Sequence, residues 1–257
     1  MYFFSTEVTS SRILSDRPLY LRTKKAYEIA KELVYGNVLE IGCGEGYGIN
    51  QYYRNVEKLT LIDKSDYSFR VLRENFPEVT FLKQKIPPLT NIADNQFDIV
   101  LSFQVIEHIK HDHLYLQEIY RVLKPGGKAL ITTPNASKSI ARNPWHYKEY
   151  DFIELETLLK KYFKNFEIKG IEGNNKANLY YLKNKDKVEK LLRFDIFGLQ
   201  HKLPSSFLKI PYEILNRKNR KQLLENNRSL IEEINSNDYK LNSCTDKTLD
   251  FFCILEK

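Results

Sequence analysis

Apolar and polar positions alternate along this chain with two different periods. Ala26, Ile29, Ala30 and Leu33 recur at helical spacing and predict an amphipathic helix over Thr23–Tyr35. Short apolar runs at 38–41, 58–63, 79–82, 98–102, 129–133 and 166–171 read as buried strands. Helical segments lie between them: a short one after Gly46, then 67–75, 113–123 and 153–163. Gly36-Asn37, Pro77 and Pro125-Gly126-Gly127 punctuate the series. A last apolar run, Leu249–Leu255, reads as a final strand. Residues 1–22 show no strong period and are read as a lid. Strands alternating with helices imply an α/β fold, a mostly parallel sheet with helices on both faces. Ligands of such sheets sit outside the carboxyl ends of the strands, where the strand order reverses.

About 75 residues separate the last two of these strands, which is too long for a plain connection. Within them, Leu223, Leu230, Ile231 and Ile234 predict a helix over 219–234. Residues 172–247 are therefore read as an inserted, helical, substrate-side subdomain. Residues 1–171 and 248–257 make the main domain.

Composition narrows the setting. The chain has 257 residues, is 42% hydrophobic and contains no apolar run long enough to cross a membrane. The start, Met1-Tyr2-Phe3-Phe4-Ser5, is too short and uncharged for a secretory signal. Cys43, Cys244 and Cys253 show neither disulfide nor zinc spacing, so a reducing cytoplasm is the expected compartment. The net charge is +7, and residues 172–247 hold 15 Lys/Arg against 10 Asp/Glu. Such an excess suits nucleic acid, an anionic substrate, a membrane surface or simply a solvated face. The run Asn216-Arg217-Lys218-Asn219-Arg220-Lys221 falls at the expected start of the late helix, where cations oppose the helix dipole. That placement hints at an anionic partner.

The most informative stretch is Val38-Leu39-Glu40-Ile41-Gly42-Cys43-Gly44-Glu45-Gly46-Tyr47-Gly48. An apolar strand ends in an acid, and a glycine turn opens a helix whose N–H groups face anything negative. The spacing is G-x-G-x-G and departs from the dinucleotide fingerprint G-x-G-x-x-G. Leu59–Asp63 ends in a second acid, 21 residues after Gly42, placed for a ribose diol. Phe97–Ser102 and Arg121-Val122-Leu123-Lys124-Pro125-Gly126-Gly127-Lys128 follow in order. This order resembles the class I S-adenosylmethionine (SAM)-dependent methyltransferases, over roughly residues 23–171 and the last strand. It is most similar to the branch with Glu-His after the fourth strand, such as ubiquinone-pathway O-methyltransferases.

The resemblance implies a Rossmann-like sheet of seven strands, the seventh antiparallel beside the sixth, and SAM as cofactor. It implies that Glu40 binds the methionine amine, directly or through water. The loop of Gly42, Cys43, Gly44 and Gly46 would pass along the methionine and ribose. Asp63, followed by Lys64, would accept from both ribose hydroxyls. The backbone at Ser102 and Phe103 would meet the amino-acid end. One position departs from the pattern: Gln84 or Lys85 stands where relatives carry an acid for the adenine amine. Gln84 can accept that amine through its amide oxygen, with Ile86 packed on the ring.

Glu107 and His108 follow the fourth strand, and His146 lies in the turn Asn143-Pro144-Trp145-His146 after Thr133-Pro134-Asn135. These three are the candidate catalytic residues. His108 is read either as a general base or as a pocket-shaping residue. Small-RNA 2′-O-methyltransferases resemble this pattern and bind a metal through two acids and two histidines. Gln104 replaces one of those acids, so no metal ligand is assigned here. The tetrapeptide of amine methylases, Asp/Asn-Pro-Pro-Tyr/Phe, is absent, which favours oxygen as the acceptor atom. The expected activity is O-methylation of a small molecule or glycan. An RNA or tRNA methyltransferase and a non-enzymatic SAM-binding protein are the alternatives.

Overall fold

The computed structural model describes residues 9, 12–66, 68–193 and 202–257. Eight strands form one sheet: β1 (Asn37–Ile41), β2 (Lys58–Asp63), β3 (Thr80–Lys83), β4 (Phe97–Phe103), β5 (Leu123–Pro134), β6 (Asn165–Gly173), β7 (Tyr239–Ser243) and β8 (Thr248–Glu256). Their order is β3-β2-β1-β4-β5-β8-β6-β7. The pairs among β1 to β5 are parallel, while β8 runs antiparallel between β5 and β6. The order reverses at β1, so the glycine loop leaves the sheet at its switch point.

Side chains alternate across the strands and bury both faces, as a covered parallel sheet requires. Val38, Leu61, Ile99 and Leu101 pack on one side with Ala26, Tyr27 and Ala30 of α1 (Arg17–Ala30) and Phe69 and Leu72 of α3 (Phe69–Asn75). Leu39, Ile41, Val100 and Ile131 pack on the other with Leu116 and Ile119 of α4 (Asp112–Val122) and Leu155 and Leu159 of α5 (Phe152–Leu159). Helix α2 (Ile49–Tyr52) is the short helix expected after the glycine loop. Helix α1 starts six residues before its expected position, because Pro18 presets the first turn. Residues 17–22 of the expected lid thus belong to α1, and residues 1–8, 10 and 11 lie outside the described residues.

Two expectations about residues 172–247 require correction. The sheet has eight strands rather than seven, because β7 within this segment pairs antiparallel with β6. The expected helix 219–234 is in fact the end of α7 (Ser205–Asn226), a break at Asn227 and the short α8 (Arg228–Glu233). The basic run 216–221 therefore lies inside α7 and not at a helix start. No dipole conflict exists there, and two of its arginines are engaged internally. Asp16, fully buried just before α1, holds Arg217 and Arg220 at 3.0 Å each.

The segment also closes the core. Ala177 and Tyr180 of α6 (Asn175–Leu192), Leu223, Ile231, Ile234 and Tyr239 are buried in the same cluster as Val38 and Leu61. Tyr239 donates to Pro18 O at 2.8 Å, and Arg17 Nε donates to Ile234 O at 3.0 Å. Each fully buried Ile or Tyr here contributes about 1.5–3 kcal/mol. The helices of this segment are therefore packed as a cap over α1.

Candidate active site

Backbone conformation shapes the loop after β1. Gly42, Gly44 and Gly46 have φ of +76°, +52° and +69°, a region that L side chains rarely adopt. A Cβ at Gly42 would lie 2.5 Å from Val105 Cγ2, and one at Gly46 would lie 2.5 Å from Leu72. Gly42 N donates to Ile62 O at 2.7 Å, and Gly46 N closes a turn onto Cys43 O at 2.8 Å. Asp63 ends β2 beside this loop and accepts from Gly44 N at 3.0 Å and from Ser65 N at 2.9 Å.

A cavity of about 1190 Å³ runs from this loop to the cap. Gly42, Cys43, Gly44, Asp63, Lys64 and Gln84 line it. Glu107, His108 and His146 line the same cavity. So do Tyr180 and Tyr181 of α6 and Tyr212 of α7. The volume exceeds the ~300–1,000 Å³ of a typical site for one small ligand. It has room for a cofactor and an acceptor together.

Three of the lining residues are titratable groups at close quarters. One ligand-type atom each from Glu107, His108 and His146 lies within 4.8 Å of the others. Glu107 is 1% exposed and accepts from Thr133 Oγ1 at 3.0 Å. Burial raises its carboxyl from 4.5 to about 7, against the opposing pull of His146. His108 Nδ1 lies 3.0 Å from Trp145 O. A carbonyl only accepts, so Nδ1 carries the proton and the basic lone pair of the neutral ring is on Nε2. The His146 ring meets that of His108 edge to face at 4.7 Å. Its Nδ1 lies 2.5 Å from Glu149 Oε1, and Asn143 Nδ2 donates to its Nε2 at 2.8 Å.

Among the described residues, Glu107, His108 and His146 form a group that could hold a metal ion. They supply one carboxylate, and Gln104 turns its amide nitrogen to Thr132 Oγ1 at 3.3 Å, so the set carries less charge than a hard cation favours. The residues at the glycine end do fit SAM. They offer a carboxylate at the end of β2, an open loop backbone and the Gln84 amide in the same lining.

Residues 39–131 match the family model of the methyltransferase domain. A probable S-adenosylmethionine-dependent methyltransferase of Mycolicibacterium smegmatis is 32% identical over 142 residues, covering 53% of this chain and 54% of that protein. Residues 39–131 are therefore a methyltransferase domain, similar to that of SAM-dependent methyltransferases. A ubiquinone biosynthesis O-methyltransferase of Rickettsia bellii is 31% identical over 105 residues, covering 39% of this chain and 43% of that protein. The chain spans about half the length of the curated relatives it matches. A solved SAM-dependent methyltransferase of Thermotoga maritima, described as a possible histamine N-methyltransferase, aligns with a TM-score of 0.59 at 16% identity over 95% of this chain and 91% of that one. The [4+2]-cyclase SpnF aligns with a TM-score of 0.56 at 17% identity over 91% of this chain and 80% of that one. At these identities the likeness is one of fold, and the fold alone does not fix the reaction.

Within the methyltransferase domain, three residues expected to touch the cofactor do not wall the cavity. Glu40 lies behind the glycine loop, where its two carboxylate oxygens accept from the hydroxyls of Tyr27, at 2.6 Å, and Tyr52. Burial raises its carboxyl, and the two hydroxyls hold it down. Gly46 serves packing, since its α-carbon faces Leu72 and Ile49. Ser102 is buried with its hydroxyl 2.7 Å from Tyr115 Oη. Phe103 does line the cavity and packs edge-on against Tyr27 at 4.8 Å. Gln84 Nε2 donates to Pro88 O at 2.6 Å, which orients its amide plane.

Sequence reasoning missed Tyr27 and Tyr52, which hold Glu40, and Tyr47, edge-on to Tyr27. The signal was present: Tyr27 adjoins Ala26 on the apolar face of α1. It also missed Arg22, which lines the cavity and forms an ion pair with buried Asp250 at 2.7 Å. Nothing in the local pattern links residues so far apart in the chain.

Proposed function

We propose that this chain transfers a methyl group from SAM to an oxygen of a small-molecule or glycan acceptor. One observation carries the reading. The cavity that begins at the glycine loop and Asp63 continues without interruption to Glu107, His108 and His146 and then to the cap.

SAM, when bound, supplies a methyl group on a sulfonium, activated for in-line displacement. Asp63 and the backbone of Gly42 to Gly44 hold the ribose and methionine parts, and Gln84 Oε1 accepts from the adenine amine. Glu40 acts from behind, fixing Tyr27 and Tyr52 against the loop. His108, set as the Nδ1–H tautomer by Trp145 O, takes the acceptor hydroxyl proton at Nε2. Glu107 and His146 position that ring and share its charge. The tyrosines of the cap select the acceptor.

An anionic acceptor gains less from the cap than the net charge suggests. Arg22 and Arg220 line the cavity, yet each already faces a buried carboxylate, Asp250 and Asp16. A neutral hydroxylated acceptor suits this lining as well as an anion. The same pairs weaken the RNA reading, since Arg217 and Arg220 were the core of its basic run.

Incubation of cell extract with methyl-labelled SAM tests the proposal. Label is expected in the small-molecule or glycan fraction. Label confined to RNA would replace it with the nucleic-acid reading, and no transfer would leave a SAM-binding protein.

A further inference from the structure

Helix α7 has two faces with different neighbours. Leu208, Tyr212 and Asn219 line the cavity from inside. On the outer face, Phe207, Ile210 and Ile214 are 71%, 72% and 60% exposed. They recur at i, i+3 and i+7, so they form one stripe along the helix. Lys218 and Lys221 continue the same stripe toward the carboxyl end and are exposed. Exposed apolar side chains scattered singly need no explanation, but a helical stripe of them ending in lysines does.

We propose that this outer face of α7 docks the protein on an anionic membrane surface. A helix with an apolar stripe beside lysines lies in the plane of the headgroups, with its apolar side chains in the acyl boundary and its cations on anionic lipid. Charge complementarity decides for lipid. Lys218, and Lys221 in a solvent-exposed pair with Glu225 at 4.0 Å, stand in line with the stripe, where anionic headgroups border the acyl region. The alternative occupant is a second copy of this chain. Three side chains fall well short of the ~800 Å² per partner that a stable protein interface buries. No described helix is long and apolar enough to cross a membrane, so the contact is peripheral. Pro211 and Leu215 are exposed beside the stripe and also line the cavity, so docking sets the cavity mouth against the surface.

The test is flotation of the full chain with vesicles of phosphatidylglycerol and phosphatidylcholine, and with vesicles of phosphatidylcholine alone. Binding is expected to the anionic vesicles and to fall at least tenfold on pure phosphatidylcholine. It is expected to fall as much in the variant Phe207→Ser/Ile210→Ser/Ile214→Ser and in Lys218→Glu/Lys221→Glu. Near-UV circular dichroism and SAM affinity show that both variants keep the fold, and these positions touch neither the glycine loop nor His108. Absence of binding by the wild type overturns the proposal, as does undiminished binding by the triple variant. A wild-type dimer in sedimentation velocity that the triple variant turns into monomer assigns the stripe to self-association and likewise overturns it.

Discussion

His108 Nδ1 lies 3.0 Å from the backbone oxygen of Trp145. The same Trp145 donates its indole Nε1–H to Glu213 Oε1 at 2.7 Å and carries Lys209 Nζ over its ring at 3.9 Å. One residue thus fixes the tautomer of the proposed base and anchors α7. The chemistry and the cap are joined by a single turn of chain between β5 and α5.

The role of His108 is open to a direct kinetic test. His108→Ala is expected to lower turnover by roughly 10²–10⁴-fold, the usual contribution of a positioned base. SAM affinity, read by calorimetry, is expected to stay near wild type, since the proposed cofactor contacts are Asp63, the glycine loop and Gln84. Equal turnover in variant and wild type would return His108 to a pocket-shaping role.

Glu107 couples stability to pH. Its carboxyl is raised from 4.5 to about 7 in the folded protein, so the native state holds the proton more tightly than the unfolded chain. Its favourable contribution is complete below the unfolded pKa and is lost as pH rises through the folded one. A shift of this size corresponds to roughly 3 kcal/mol. Glu107→Gln should remove that share of the fall in stability between about pH 5 and about pH 8. Urea unfolding of both proteins at the two pH values measures it. Parallel pH dependence would mean that Glu107 is ionised in the folded protein.

Asp16 holds the cap to the body through Arg217 and Arg220. Asp16→Ala leaves a nearly buried Arg220 cation without its carboxylate, a loss expected to cost about 3–5 kcal/mol. Thermal or urea unfolding reads the change. A loss below about 1 kcal/mol would show the pair to be screened like a surface contact.

The sheet was legible because its strands are short apolar runs with turn residues between them. Asp63 stood out because it ends such a run at a fixed distance from Gly42, and the structure sets it beside the glycine loop. The cap was not legible in the same way. Residues 219–234 look like one amphipathic helix, but Asn227 breaks it, and a local pattern cannot tell where a longer helix began. Strand β7 was missed because Tyr239–Ser243 carries only Tyr239 and Leu241 as apolar anchors and lies at the sheet edge. The position of Glu40 depended on tyrosines 13 and 12 residues away, whose convergence is set by α1 and α2 packing on β1. The meeting of Glu107 and His108 with His146 was expected, and the structure brings them within 4.8 Å. The bonds that fix each ring come from Trp145 and Asn143 of the same turn and from Glu149, roles that spacing alone does not assign.

The most direct test is calorimetric titration of SAM into the wild type and Asp63→Ala. One saturable site is expected in the wild type. The variant should bind about 2–3 kcal/mol more weakly, from lost charge-assisted hydrogen bonds to the ribose. Its circular dichroism and melting should confirm that it remains folded. A wild type that does not bind SAM, or an unchanged affinity in folded Asp63→Ala, would contradict the placement of the cofactor at the glycine loop and with it the proposed transfer.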